Sequence, residues 1–560
     1  MRRFLFLLIL FTLQISNLFS QLKFDEKNPH FTRADTLRGM LRPERTSYDV
    51  THYHLDVEIA PDSQFIKGST TITFKVVDET SRIQVDLFDN MQIDKIEYDK
   101  KPLNFTREFN AVFISFPKPL KKNSMQKIAV YFSGKPIVAK NPPWDGGFIW
   151  TKDEKGIPWI AVACQGTGAS LWWPNKDHQA DEPDSMMISV TVPIGLMNIS
   201  NGRLRKMAVL KDGRSRWDWA VTYPINNYNV TINVGNFAHF GEKHGDKDPL
   251  TLDYYVLPAD LEKAKEQFMQ VKPMMATFEK YFGPYPFKRD GYKLVESPHL
   301  GMEHQSAVAY GNKFQQGYLG TASSPEGLLF DFIIIHETAH EWWGNSVTSK
   351  DIADMWIHEG FGAYSEAIYI EGLYGYEAGQ RYLVGKKQDV RNDKPIIGVY
   401  GVNCEGSGDM YPKGALMLNT LRHAINNDSL WFAILRGIQS TYKYQTIHTD
   451  SIVHFVNRMT GTDYTYLFDQ YLKYPKIPEL DLFMSIKGSK IKLSYRWISD
   501  VSDFRMPVKI KMKSGWETIM PTKAWQSMAL DGMNPDELKA DDTRFFISVN
   551  KRVMYVEEKR

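Results

Sequence analysis

The sequence predicts a multidomain α+β protein with an N-terminal antiparallel β-domain, a helix-rich middle domain and a small C-terminal β-domain. Three observations predict it. At 560 residues the chain is longer than one hydrophobic core supports, because single cores stop growing at about 250–300 residues. Its apolar residues alternate with period two in the first and last parts. Between those parts the spacing becomes helical, from about Asp260 to Tyr474.

Taken in order, Arg2 and Arg3 precede an apolar run over 4–13, and Ser20 stands before Gln21. A charged start, a short greasy stretch and a small residue at the cut have the form of a secretory signal, expected over 1–20. The run is shorter than the ~20 apolar residues a membrane span needs, and no later segment is long and apolar enough to cross a bilayer. The expected location is therefore outside the cytoplasm: periplasmic, extracellular or on the cell surface. A β-domain is expected over 21–240, with strands at 53–59, 69–76, 111–115, 127–132 and 228–234 that are rich in β-branched residues. Lys67-Gly68 and Asp212-Gly213 mark turns between strands. The middle domain is expected over 241–476, with helices at 261–282, 327–344, 355–372, 414–425, 429–442 and 451–460. Alternation returns at 482–486, 490–495 and 508–512, in a last domain over 477–560.

Composition narrows the function classes. Sixty-eight basic and 66 acidic residues leave a net charge of +2 with no basic stripe, which argues against nucleic acid as a partner. Hydrophobic residues at 43% and charged residues at 24% belong to an ordinary globular chain. Only Cys164 and Cys404 are present, so the expected stabilisation is burial rather than disulfides, with two single thiols.

The chemistry enters at His336-Glu337-Thr338-Ala339-His340. Residues four apart share one helix face, so both imidazoles can reach one ion. Glu337 points about 100° away around the helix, placed to take a proton from water beside the metal. A lone match to this pattern is weak, because it also falls on surface helices. Here it follows the apolar run 328–335, which places the histidines in a buried setting where unpaired imidazoles are costly. A third ligand follows in Trp356-Ile357-His358-Glu359-Gly360-Phe361. Two histidines and one glutamate form a catalytic rather than a structural zinc site, because one coordination position stays open. One Zn2+ per chain and metal-assisted hydrolysis are the expectation.

These segments resemble the zinc aminopeptidase family that contains aminopeptidase N and leukotriene-A hydrolase, over about 53–474. Leu300-Gly301-Met302-Glu303-His304 is similar to its exopeptidase motif, and Tyr411-Pro412-Lys413-Gly414 to its Tyr-x-Lys-Gly. Cys164-Gln165 stands in the place of its substrate-facing glutamine. The resemblance implies a thermolysin-like catalytic domain and a short form without the large helical C-terminal domain of many members. It implies that Glu303 binds the substrate's free α-amino group with help from Gln165, and that Gly301 and Met302 also line the substrate site. Tyr411 then stabilises the oxyanion. Leu300 stands where the family usually has Gly, His304 where it has Asn, and His358 in place of another Asn. These departures bear on substrate preference rather than on the reaction. The implied function is hydrolysis of the N-terminal peptide bond of peptides with a free amino terminus. A thermolysin-like endopeptidase and a catalytically inactive peptide-binding protein are the alternatives.

Overall fold

The computed structural model describes residues 30–530 and 533–556; the signal expected at 1–20 lies outside them. Alternation at the start of the first domain builds two long strands, Tyr48–Ala60 and Phe65–Val76, paired antiparallel from Tyr48 opposite Val76 to Ala60 opposite Phe65. Tyr53, Leu55, Val57 and Ile59 all point to the core side, as the two-residue period requires. Both strands sit inside an eight-stranded sheet. One of its pairings departs from the antiparallel expectation: Ser185–Pro193 runs parallel to Tyr48–Ala60. A tight hairpin cannot make a parallel pair, whereas the long connection between these strands can.

A second sheet of four strands carries Pro158–Ala163, and that strand delivers Cys164 and Gln165 at its end. The strand expected at 228–234 is shorter. Asn227–Asn229 form a 3-10 turn, with the Asn226 side chain accepting from the Tyr228 N–H, and extended pairing starts only at Ile232–Gly235. A local side chain to backbone bond competes here with the sheet ladder.

The middle of the chain builds on a five-stranded sheet. Its first strand, Ala238–His244, straddles residue 240 and pairs with Leu250–Val256. The edge strand Gly301–Met302 pairs with Val308–Tyr310. Helices cover this sheet, and they include Val271–Phe282, Phe332–Ala339, Trp356–Tyr374 and Pro412–Ile425.

The helix expected over 327–344 is the shorter Phe332–Ala339, preceded by a 3-10 turn at Pro325–Leu328. Asp331 sets the start. Its carboxylate accepts from the N–H groups of Ile333 and Ile334 at 3.1 and 3.4 Å, and from Gln267, Tyr310 and Asn312 at 2.7, 2.7 and 2.8 Å. So many partners pin the cap, and Leu328 and Leu329 are left exposed outside the helix. Trp356–Tyr374 and Pro412–Ile425 approach backbone to backbone: a Cβ on Gly414 would lie 2.8 Å from the Cα of Gly360. Glycine is required there, and the contact carries Tyr411 toward Glu359.

Glu479–Lys487 and Lys490–Ile498 open the last unit as a hairpin, joined by Ser548–Tyr555 and Gln526–Ala529 in a four-stranded sheet. Its apolar face shares one core with the helices, while the first domain has a core of its own. Met302 belongs to the first domain's core and Ile333 to the other, so the edge strand and the helix Phe332–Ala339 meet where the two cores adjoin. Cys164 and Cys404 are free thiols. Among the described residues no helix is long and apolar enough to cross a membrane.

Candidate active site

The helix Phe332–Ala339 brings His336 and His340 together, with their Nε2 atoms 3.2 Å apart. From the next helix, Glu359 Oε2 lies 3.4 Å from each of those nitrogens. His340 Nδ1 is 2.9 Å from the carbonyl of Trp343, which only accepts, so Nδ1 carries the proton. His336 Nδ1 is 2.7 Å from Glu366 Oε1. Lys386 Nζ, at 2.8 Å, and the Tyr382 hydroxyl both donate to the other oxygen of Glu366. Burial pushes Glu366 up, but Lys386 and His336 outweigh it and hold the group below the usual carboxylate range. Glu366 is therefore an anion that accepts from His336.

Burial pulls both rings down, but Glu359 and Glu366 push His336 up to about 10 and Glu359 pushes His340 up to about 9. A metal must therefore displace a proton from each Nε2. In the neutral rings, with both Nδ1 atoms protonated, two Nε2 lone pairs and Glu359 Oε2 converge in a buried space. Glu359 Oε2 has no hydrogen-bond partner there. Three converging acceptors repel one another unless a cation lies between them. These atoms lie within 4.8 Å of one another, and among the described residues this is the group able to hold a metal ion. The donor set and its geometry fit zinc with one position left open. Glu366 orients one ligand ring. Replacing it, as Glu366→Gln, is expected to lower zinc affinity about 10–100-fold, measured by competition with a chromophoric chelator. Unchanged affinity would assign Glu366 a packing role only.

Glu337 leaves the same helix toward the edge strand. A Cβ on Gly301 would meet Ile333 Cγ2 at 2.7 Å and Glu337 Oε1 at 2.9 Å. The strand closes onto the helix only because residue 301 lacks a side chain. That close approach sets Glu303 across from Glu337. Burial pushes Glu337 up to about 7, against the pull of His336. Burial also raises Glu303, against His340.

Gln165 Nε2 donates to Glu303 Oε1 at 2.7 Å and to Glu359 Oε1 at 2.8 Å. Tyr228 donates its hydroxyl to Glu303 Oε1 at 3.0 Å, and Asn345 holds the Glu303 backbone carbonyl at 2.9 Å. The Tyr411 ring lies over that of His336, 5.8 Å between centroids. Its hydroxyl is pushed well above its ordinary pKa, first by burial and then by Glu359 and Glu303. It is therefore a hydrogen-bond donor at any ordinary pH. A cavity of about 170 Å³ joins these groups, and Gly301, Met302 and Leu300 line it together with Pro143 and Trp144.

All the candidate residues named from the sequence thus come together at one place. Leu300, one of the departures, does reach the cavity. His304 is buried, and neither of its ring nitrogens has a partner among the described residues. His358 is structural, its Nε2 accepting from the Ser349 N–H at 2.9 Å. Sequence reasoning missed Tyr228, Glu366 and Trp144. Only Glu366 carried a signal: it falls seven residues after Glu359, on the same helix face.

Comparisons with known proteins give the family and the fold. The model of the peptidase family M1 domain matches residues 266–471, and that of the peptidase M1 N-terminal domain matches 49–228, together well over half the chain. Aminopeptidase B of Rattus norvegicus is 20% identical over 533 residues, which cover 84% of this chain and 77% of the relative. Leukotriene A-4 hydrolase of Xenopus laevis is 22% identical over 512 residues, covering 82% and 78%. The crystal structure of an M1 zinc metallopeptidase from Deinococcus radiodurans shares the fold at a TM-score of 0.65. Its identity is 20%, and the match covers 77% of this chain and 94% of that one. A mutant of the same protein, bound to a Tyr-Ser-Ala substrate, matches at a TM-score of 0.65 and 19% identity, covering 77% and 96%. The metal group, the fold and both family models agree: the chain belongs to peptidase family M1, as a zinc metallo-aminopeptidase of the aminopeptidase N-like gluzincin kind.

Proposed function

We propose that this site hydrolyses the first peptide bond of peptides with a free amino terminus. The observation that carries the reading is Gln165, whose one amide joins Glu303 to Glu359. The carboxylate suited to an ammonium is thereby held one residue's reach from the group suited to the metal. A substrate amine paired with Glu303 sets its first carbonyl, and no later one, beside His336, His340 and Glu359. These three residues would hold a zinc ion, which would supply Lewis acidity toward a carbonyl and toward water.

The chain's own residues do the rest. Glu337 takes a proton from the attacking water and returns it to the leaving amine. Tyr411 donates its hydroxyl to the oxygen that gains charge as the carbonyl carbon becomes tetrahedral. Glu303, fixed by Gln165, Tyr228 and Asn345, pairs with the ammonium and selects chain ends over internal bonds. The tripeptide on the D. radiodurans neighbour supports a peptide as the substrate. The charged, apolar and small-residue order of 1–20 supports export.

The test compares aminoacyl-amide reporters with their N-acetylated forms, before and after a chelator. Acetylation removes the ammonium and leaves Glu303 buried without its partner. It is expected to lower kcat/KM by at least about a hundredfold, and chelation to abolish turnover. Equal turnover of free and acetylated reporters would establish an endopeptidase. Binding of free-amine peptides by the zinc-loaded protein without turnover would establish a peptide-binding protein.

A further inference from the structure

Two larger cavities flank the metal group, and their linings tell them apart. One of about 430 Å³ continues from Tyr318 and Phe332 toward Tyr382 and Lys386, and Tyr318, which lines both this cavity and the central one, feels the charge of Glu337. The other, of about 380 Å³, shares Gln165, Glu359 and Tyr411 with the central cavity. Glu337 returns its proton to the leaving amine, so the leaving peptide belongs on the Glu337 side. A first residue whose amine sits at Glu303 and Gln165, with its carbonyl at Glu359 and Tyr411, sends its side chain into the other cavity. This step rests on the amine-anchoring role proposed above.

The composition of that second cavity is selective. Ile352, Met355 and Met410 supply apolar wall, and Trp144 an indole at the mouth. No Lys or Arg lines it, and its carboxylates are Glu359, of the metal group, and Glu405. No hydrogen bond or ion pair of the Glu405 side chain is found among the described residues; only its backbone carbonyl is engaged, accepting from the Cys404 thiol. Its charge is felt at the carboxylate of Glu359 and at the hydroxyl of Tyr411, so it faces the site; Lys394 is the cation that offsets it in part. A long side chain with a cationic tip matches this lining from end to end. Its methylenes lie on Ile352 and the methionines, while the tip reaches Glu405 and the face of Trp144. Burial and then the charge of Glu359 raise the Glu405 carboxyl above its ordinary range, yet the residue keeps an exposed surface, so the tip keeps part of its hydration and the pair escapes the penalty of full burial.

We infer that the cavity bounded by Trp144, Met355 and Glu405 receives the first side chain, and that Glu405 makes the enzyme prefer peptides beginning with Lys or Arg. The reaction is unchanged; what changes is which chain end is taken.

The experiment measures kcat/KM for Lys-, Arg-, Leu- and Glu-amide reporters, with wild type, Glu405→Gln and Glu405→Lys. Inhibition constants of L-lysinamide and L-leucinamide give a readout independent of turnover. Wild type is expected to favour Lys and Arg over Leu, and Glu405→Gln to lower the Lys-to-Leu ratio about tenfold. Glu405→Lys lowers the ratio further, and both variants raise the inhibition constant of L-lysinamide relative to L-leucinamide. The wild-type preference shrinks as salt is raised. A wild type indifferent to charge, or variants that move all reporters equally, would overturn the assignment of Glu405 and leave the aminopeptidase reading standing. Failure to turn over any free-amine reporter would remove both.

Discussion

Glu337→Gln is expected to lower kcat by about 10²–10⁴ while the protein keeps one zinc per chain. The two outcomes follow from different parts of one helix. His336, His340 and Glu359 form the metal group without Glu337, so zinc content does not depend on it. Glutamine has the shape of glutamate and fits against Gly301 and Ile333, where a larger side chain would force the edge strand away. It has no site for the proton, and the water must then attack without a base. Steady-state kinetics and metal analysis on the same sample separate the two effects. A kcat within tenfold of wild type would remove Glu337 from the proposed reaction. Loss of zinc would show that the residue serves the metal group instead.

How much of this was legible depends on how local each signal is. His336 and His340 are one helical turn apart, and helix geometry alone puts their rings together. Glu359 lies on the next helix and still fell within reach of ligand spacing. Gln165 and Glu303 are 138 residues apart, and Gln165 and Glu359 are 194 apart. No periodicity connects such positions, so only the resemblance pointed to them. The elements read differently were decided by side chains acting on nearby backbone. Asp331 caps a helix that the apolar run 328–335 starts earlier by pattern alone, and Asn226 turns the chain at Tyr228 where alternation points to a strand. That second turn matters to the site, because it aims the Tyr228 hydroxyl at Glu303. Glu405 and Trp144 lie outside helices and strands, where hydrophobic pattern carries no information.

Tyr411→Phe is expected to lower kcat by about 10²–10³ with zinc affinity unchanged and KM nearly so. The substitution removes one oxygen and leaves the ring against His336 on the helix Phe332–Ala339, while Trp356–Tyr374 and Pro412–Ile425 still meet through Gly360 and Gly414. What is lost is a donor that stays protonated, because burial and the neighbouring carboxylates hold the hydroxyl far above its ordinary pKa. In the proposed reaction that donor meets more charge in the transition state than in the bound peptide. Losing it therefore depresses kcat and kcat/KM alike. Substitution of Glu303 differs, since the ammonium is present in the bound peptide and in the transition state, and a weakened anchor raises KM. If Tyr411→Phe instead raised KM with kcat intact, the hydroxyl would hold the ground-state peptide. The donor to the developing oxyanion would then have to be another group lining the central cavity.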